Sequence, residues 1–97
     1  MIVRILPLAR NDLSEGYIFY EERASGLGHY FLSTLEDEID DLAYQAGIHY
    51  KVFDFYFVKH SSRFPYSIYL NVLGDTVLVD AVIDQRRDPD WINDHLN

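Results

Sequence analysis

The apolar residues of this 97-residue chain keep a helical spacing from position 9 to position 46 and a spacing of two from position 52. That change of period restricts the fold more than any other feature of the sequence. Ala9, Leu13, Tyr17, Tyr20 and Ala24 mark a first helix over roughly residues 8–23, with Arg10, Asp12, Glu15, Glu21 and Glu22 mostly off that face. "SGLG" at 25–28 breaks the run. Ser25 is the expected N-cap of a second helix whose stripe is Leu27, Phe31, Leu35, Ile39, Leu42 and Ala46, with Gly47 as its stop. So short a break predicts an antiparallel helical hairpin.

Strands flank the hairpin. "IVRIL" at 2–6 alternates around Arg4 and ends at Pro7, which has no ladder donor. "VFDFYFVK" at 52–59 predicts one strand with Phe53, Phe55 and Phe57 on one face and Val52, Asp54, Tyr56 and Val58 on the other. "YSIYLNVL" separates Ile68, Leu70 and Val72 from Tyr69 and Asn71; "GD" is a two-residue turn. "TVLVDAVID" alternates Val77, Val79, Ala81 and Ile83 with Thr76, Leu78, Asp80, Val82 and Asp84, a face expected to be solvated at both ends. Asp88 before Pro89 predicts the capped start of a short closing helix. The expected fold is α+β, β-α-α-β-β-β(-α), as one domain over 1–97. The helical hairpin packs on one face of a mainly antiparallel four-stranded sheet, and the other face stays available.

Composition excludes several classes of function. Without cysteine there is no disulfide, thiolate metal site or cysteine nucleophile. His29, His49, His60 and His95 lack metal-ligand spacing, so neither a metal nor another cofactor is expected. The N-terminal apolar run is broken by Arg4 and Pro7, and the uncharged run 64–74 is far below the ~20 residues of a membrane span, so a soluble cytoplasmic protein is expected. A net charge of −8 opposes strong binding to nucleic acid, which depends on several Lys and Arg contacts to phosphate. "EDEIDD" at 36–41 reads as a solvated helix face without chemistry of its own. Five of the eight Lys and Arg residues fall in 51–97, two of them side by side as Arg86 and Arg87.

Three phrases on this plan carry a resemblance: "GLGHYFLSTLEDEIDDL" opening the second helix, "RFPYSIYL" at 63–70 and "VDAVIDQRRDPDW" at 79–91. Together they resemble the RelE/ParE superfamily of bacterial type II toxin–antitoxin systems over nearly the whole chain. The resemblance implies a toxin of the plasmid-stabilisation kind, neutralised by a cognate antitoxin with which it forms an oligomer. RelE-like members cleave mRNA on the ribosome, and ParE-like members inhibit DNA gyrase by binding it.

For metal-independent RNA cleavage a base, an acid and cations must surround the phosphate. The resemblance would place these on Lys59, His60, Arg63 and Arg86. The chain departs from that pattern: no tyrosine follows Arg87, "DFYFV" stands where further cations are expected, and Asp54 and Asp84 would repel phosphate. The ParE-like reading fits "RFPYSIYL" and "QRRDP" better, although Asp84 stands where many such sequences carry histidine. It makes Arg63, Tyr69, Arg86, Arg87 and Trp91 the expected target or antitoxin contacts, with at most one arginine of the pair pointing across the sheet toward Arg63. Trp91 is also the expected lid over the sheet end. An mRNA interferase and a non-toxic antitoxin-binding or co-repressor module stand as alternatives. A charge of −8 implies a basic partner or a mainly apolar and aromatic interface.

Overall fold

The structure, a computed structural model, describes residues 1–45, 51–53 and 55–97. Strand β1 (Ile2–Ile5) leads into helix α1 (Pro7–Glu21), then α2 (Leu27–Asp40) and the single turn α3 (Leu42–Gln45). Strands β2 (Lys51–Phe53), β3 (Tyr56–His60), β4 (Tyr66–Leu73) and β5 (Thr76–Asp84) follow, and α4 (Pro89–Leu96) closes the chain. The strands form one sheet in the order β1-β5-β4-β3-β2, antiparallel except where β1 lies parallel to β5. This is the α+β plan that the change of period implies. Ala46, Gly47, His49 and Asp54, read from the sequence as a stripe position, a helix stop, a histidine without metal-ligand spacing and a strand-face residue, lie outside the described residues.

The helical hairpin buries Ala9 and Leu13 of α1 and Phe31, Leu35 and Ile39 of α2 against Ile68, Leu70, Val77 and Val79 of the sheet. The two helices lie very close at two glycines. A Cβ on Gly16 would stand 2.5 Å from the Phe31 ring, and one on Gly28 would stand 2.5 Å from the Tyr17 carbonyl oxygen. Ser25 is not the N-cap of α2. Gly26 holds that position at φ 87°, which suits a residue without Cβ, and the Glu21 carboxylate accepts from the amides of Gly26 and Gly28 at 2.9–3.1 Å. The cap is therefore supplied by the preceding helix, and these two amides, with that of Gly26 first, hold the Glu21 carboxyl below its usual range.

Two irregularities redistribute side chains that simple alternation had placed. "VFDFYFVK" is not one strand. Phe53 pairs with Tyr56, so the chain reverses there, Phe55 is 90% exposed at the turn, and Phe53 and Phe57 pack on opposite faces of the sheet. In β5, Tyr69 pairs with Ala81 but Leu70 with Val79, which leaves Asp80 as the extra residue of a bulge. Beyond the bulge the alternation is reset. Val77, Val79 and Val82 face the helices, while Ala81 and Ile83 turn to the far side with Val58 and Tyr69. That far side is not left available, because Ile92, Trp91 and Leu96 of α4 pack on it.

The short β1 explains what seats α1. Its pairing with β5 ends at Ile5–Val79, and beyond that point no strand among the described residues lies beside the β5 edge. Asp12, one and a half turns into α1, takes the place of a strand partner: its Oδ2 accepts the Val82 amide at 2.9 Å. Its Oδ1 meets His95 Nε2 of α4 at 2.8 Å. Asp12 is 6% exposed, and burial raises its pKa while both contacts oppose the rise. The proton is held to higher pH in the folded chain than in the unfolded one. This group's contribution to stability is therefore fullest below the ordinary value of 3.8 and declines as pH rises through the raised folded value.

Asp12→Ala is expected to cost about 1–3 kcal/mol, the penalty of a buried donor left unmade, read from the midpoint of urea unfolding. Asp12→Asn retains an acceptor for Val82 and offers a donor to the imidazole. It is expected to keep most of that stability and to remove the Asp12 share of the acid-side pH slope.

Candidate functional site

Because β3, β4 and β5 are antiparallel neighbours, the C-terminal end of β3, the N-terminal end of β4 and the C-terminal end of β5 meet at one end of the sheet. His60, Tyr66 and Asp84 mark that end, and the loop 61–65 and the turn 85–88 project from it. All the expected cationic site residues are gathered there, although they span nearly thirty positions of sequence. The loop is strapped to α2 by one carboxylate: Glu38 accepts from Ser61 Oγ at 2.6 Å and from the Ser62 amide at 2.8 Å. Beneath it Tyr20, Phe31, Phe64 and Tyr66 interlock, with ring centroids 4.9–6.2 Å apart.

Each sequence-predicted residue can be located on this scaffold. Lys59 is half-buried in β3 opposite Ile68. His60 Nδ1 lies 2.6 Å from the buried Ser67 Oγ and 3.2 Å from Gln85 Nε2, which also donates to the Tyr66 carbonyl. Arg63 donates to the Tyr30 hydroxyl at 2.9 Å, a bond that raises its pKa. Tyr69 is only 6% exposed and lies on the far face between Phe53 and Tyr56, so in this chain by itself it is a core ring.

The arginine pair lies beyond the last strand, not in it, and the two side chains part company. Arg86 turns back on Asp84 in a bidentate pair, Nε to Oδ1 at 2.9 Å and Nη2 to Oδ2 at 2.6 Å. This clamp holds the Asp84 carboxyl below its usual range and raises the Arg86 pKa. Arg87 instead lies over the Trp91 ring, 4.2 Å from its centroid. Trp91 stacks on His95 at 4.6 Å and 14°, and His95 in turn reaches Asp12. The two neighbours thus make separate local contacts, Arg86 with Asp84 and Arg87 with Trp91. A turn, unlike a strand, does not send neighbouring side chains to opposite faces.

A cavity of about 210 Å³ opens beside this chain of contacts, between α1 and the end of β5. Asp12, Glu15 and Asp84 supply its carboxylates, Phe19, Tyr66 and Trp91 its rings, and Arg87 its cation. Sequence reasoning placed Asp12 off the helix face and gave Glu38 no role. The available signal for Asp12 was its place between Ala9 and Gly16 on the stripe that the buried face follows. Among the described residues, no group of three or more His, Cys, Asp or Glu is placed to hold a metal ion. Among them, too, no helix is long and apolar enough to cross a membrane.

No family model matches the sequence, and no curated protein matches it. Among solved structures, a chain of the chromosomal ParDE TA system from P. aeruginosa superposes with a TM-score of 0.73 over 87% of this chain and 95% of that one. The two are 17% identical in sequence, so the likeness is one of fold.

Tyr66 gives the site a measurable signature. Burial pushes its phenol from 10.0 up to about 12. The folded chain keeps this proton where the unfolded chain loses it, so stability is fully present below pH 10 and falls as pH rises toward 12. Urea midpoints taken across that range should fall less steeply for Tyr66→Phe than for the parent chain.

Proposed function

We propose that this chain is the toxin of a bacterial type II toxin–antitoxin module of the plasmid-stabilisation kind, ParE-like, acting in the cytosol by binding DNA gyrase and neutralised by a cognate antitoxin. The observation that carries this reading is the fold shared with a chain of a ParDE system over 87% of the length. The geometry of the sheet end supports a binding mode in preference to cleavage. Transition-state stabilisation of a phosphate needs donors free to meet the developing charge. Of the residues an interferase would use, His60 is tied to Ser67 and Gln85, Arg63 to Tyr30, and Arg86 to both oxygens of Asp84. The Asp84 carboxylate also stands where phosphate would have to approach Arg86.

Binding requires no such set. Arg63, held on the loop that Glu38 straps down, and Arg87, held over the Trp91 ring, are positioned before any partner arrives, which reduces the entropy lost on association. These two with Trp91 are the proposed contacts, and Arg86 organises the turn that carries them.

Expression of the chain without an antitoxin should arrest growth and induce an SOS response. Excess purified chain should stop gyrase from supercoiling relaxed plasmid, with Arg87→Ala weakening the inhibition more than it lowers the urea midpoint. Normal supercoiling at excess chain removes gyrase as the target. A-site cleavage in toeprints of stalled ribosomes, weakened by Arg63→Ala, would replace the reading with an mRNA interferase. Partner binding without growth arrest would leave an antitoxin-binding module that is not toxic.

A further inference from the structure

We infer that the cavity between α1 and the end of β5 is a receptor for a single arginine side chain carried by a bound polypeptide. Its volume is about 210 Å³. That is the scale of one long side chain and is below the ~300–1,000 Å³ of sites for drug-sized ligands and cofactors. Its charge favours a cation: with Asp84 neutralised by Arg86, Asp12 and Glu15 line it against Arg87 alone, in a chain whose net charge is −8. Among the described residues the ion pairs are Arg86 with Asp84 and His95 with Asp12, and Arg87 belongs to neither. Arg87 lies on Trp91, and with Asp84 held by Arg86 it is Asp12 and Glu15 that are left to a guest.

The form of the cation follows from how the acceptors are distributed. They come from two positions on α1, Asp12 and Glu15, beside the Asp84–Arg86 pair at the end of β5. They do not converge as a metal site does. A guanidinium, with five donors spread in a plane, can reach separated carboxylates that a point charge cannot satisfy together. Asp12 and Glu15 have capacity left, whereas Asp84 is taken up by Arg86, whose amide and Nε both donate to Oδ1 and whose Nη2 donates to Oδ2. Glu15 accepts from Asn11 through Oε1 alone, at 3.2 Å, and each Asp12 oxygen accepts one bond where an ionised carboxylate oxygen accepts two. The Phe19, Tyr66 and Trp91 rings complete a wall on which a guanidinium and its methylenes pack well, as Arg87 already does on Trp91.

This assignment rests on the reading of the chain as a partner-binding protein and adds to it the chemistry of the anchor, a basic residue in the partner's tail. Its test uses the chain alone, so it can fail or succeed separately from toxicity and from gyrase inhibition. The probe is the peptide acetyl-Gly-Arg-Gly-amide, with the uncharged citrulline peptide as its control, titrated at low salt and followed by NMR. The Trp91 indole and Gly16 amide resonances should shift saturably, with a Kd on the order of 1 mM. The citrulline peptide should bind about tenfold more weakly, a difference of about 1.4 kcal/mol. Glu15→Gln should weaken the arginine peptide severalfold and Glu36→Gln, on the outer face of α2, should not. Equal shifts from both peptides, the absence of a saturable shift, or shifts centred on residues 36–41 would each overturn the assignment.

Discussion

The Asp12 carboxylate adds a buried polar tie among three parts of the molecule that also pack through apolar side chains. It accepts the amide of Val82 on β5, from a position on α1, and meets His95 of α4 with its other oxygen. Each partner depends on the others. Without the carboxylate the β5 edge past Val79 would expose a buried donor with no strand to receive it, at a cost comparable to a large fraction of one domain's net stability. Without β5 the carboxylate would be buried without compensation, and desolvation already raises its pKa. The last helix then reaches the far side of the sheet through His95 and Trp91, and its cover of Ile83 and Tyr69 follows from that tether.

The same arrangement sets the electrostatics of the sheet end. Cations gathered at one point of an acidic protein could have formed a phosphate site. Here Arg86 is neutralised by Asp84, Arg63 is fixed to Tyr30 and Arg87 is spread on Trp91. The carboxylates left over face the cavity beside α1 instead. The surface that results offers positioned, partly paired arginines next to an acidic recess. Such a surface suits recognition of a polypeptide, where complementary charge fixes register and partner choice more than raw affinity.

Much of the fold was legible because period is a local property. The stripe Phe31, Leu35, Ile39 and Leu42 is wholly buried as its spacing requires, and Asp88 caps α4 by accepting the Trp91 amide at 2.9 Å. The "GD" turn sits between Leu73 and Thr76 with Gly74 at φ 63°. What was not legible came from single residues that reset a period. The turn at Phe55 divides a strand whose sequence alternates without interruption, and the bulge at Asp80 exchanges the faces of Ala81 and Val82. Neither carries glycine or proline to announce it.

The candidate site divides along the same line. The sequence by itself determined that a helical hairpin follows one short strand and precedes the others, that no thiol or disulfide chemistry is available, that the chain is acidic, and that two arginines stand together near its end. Only the tertiary structure decided what those arginines do. A side chain's partner depends on which atoms lie within about 3 Å, and Asp84, Trp91, Tyr30 and Glu38 reach their places through pairing and packing that no local pattern encodes. Asp12 shows this most sharply: it stands 70 residues from Val82 and 83 from His95 along the chain, and its role exists only where the three meet.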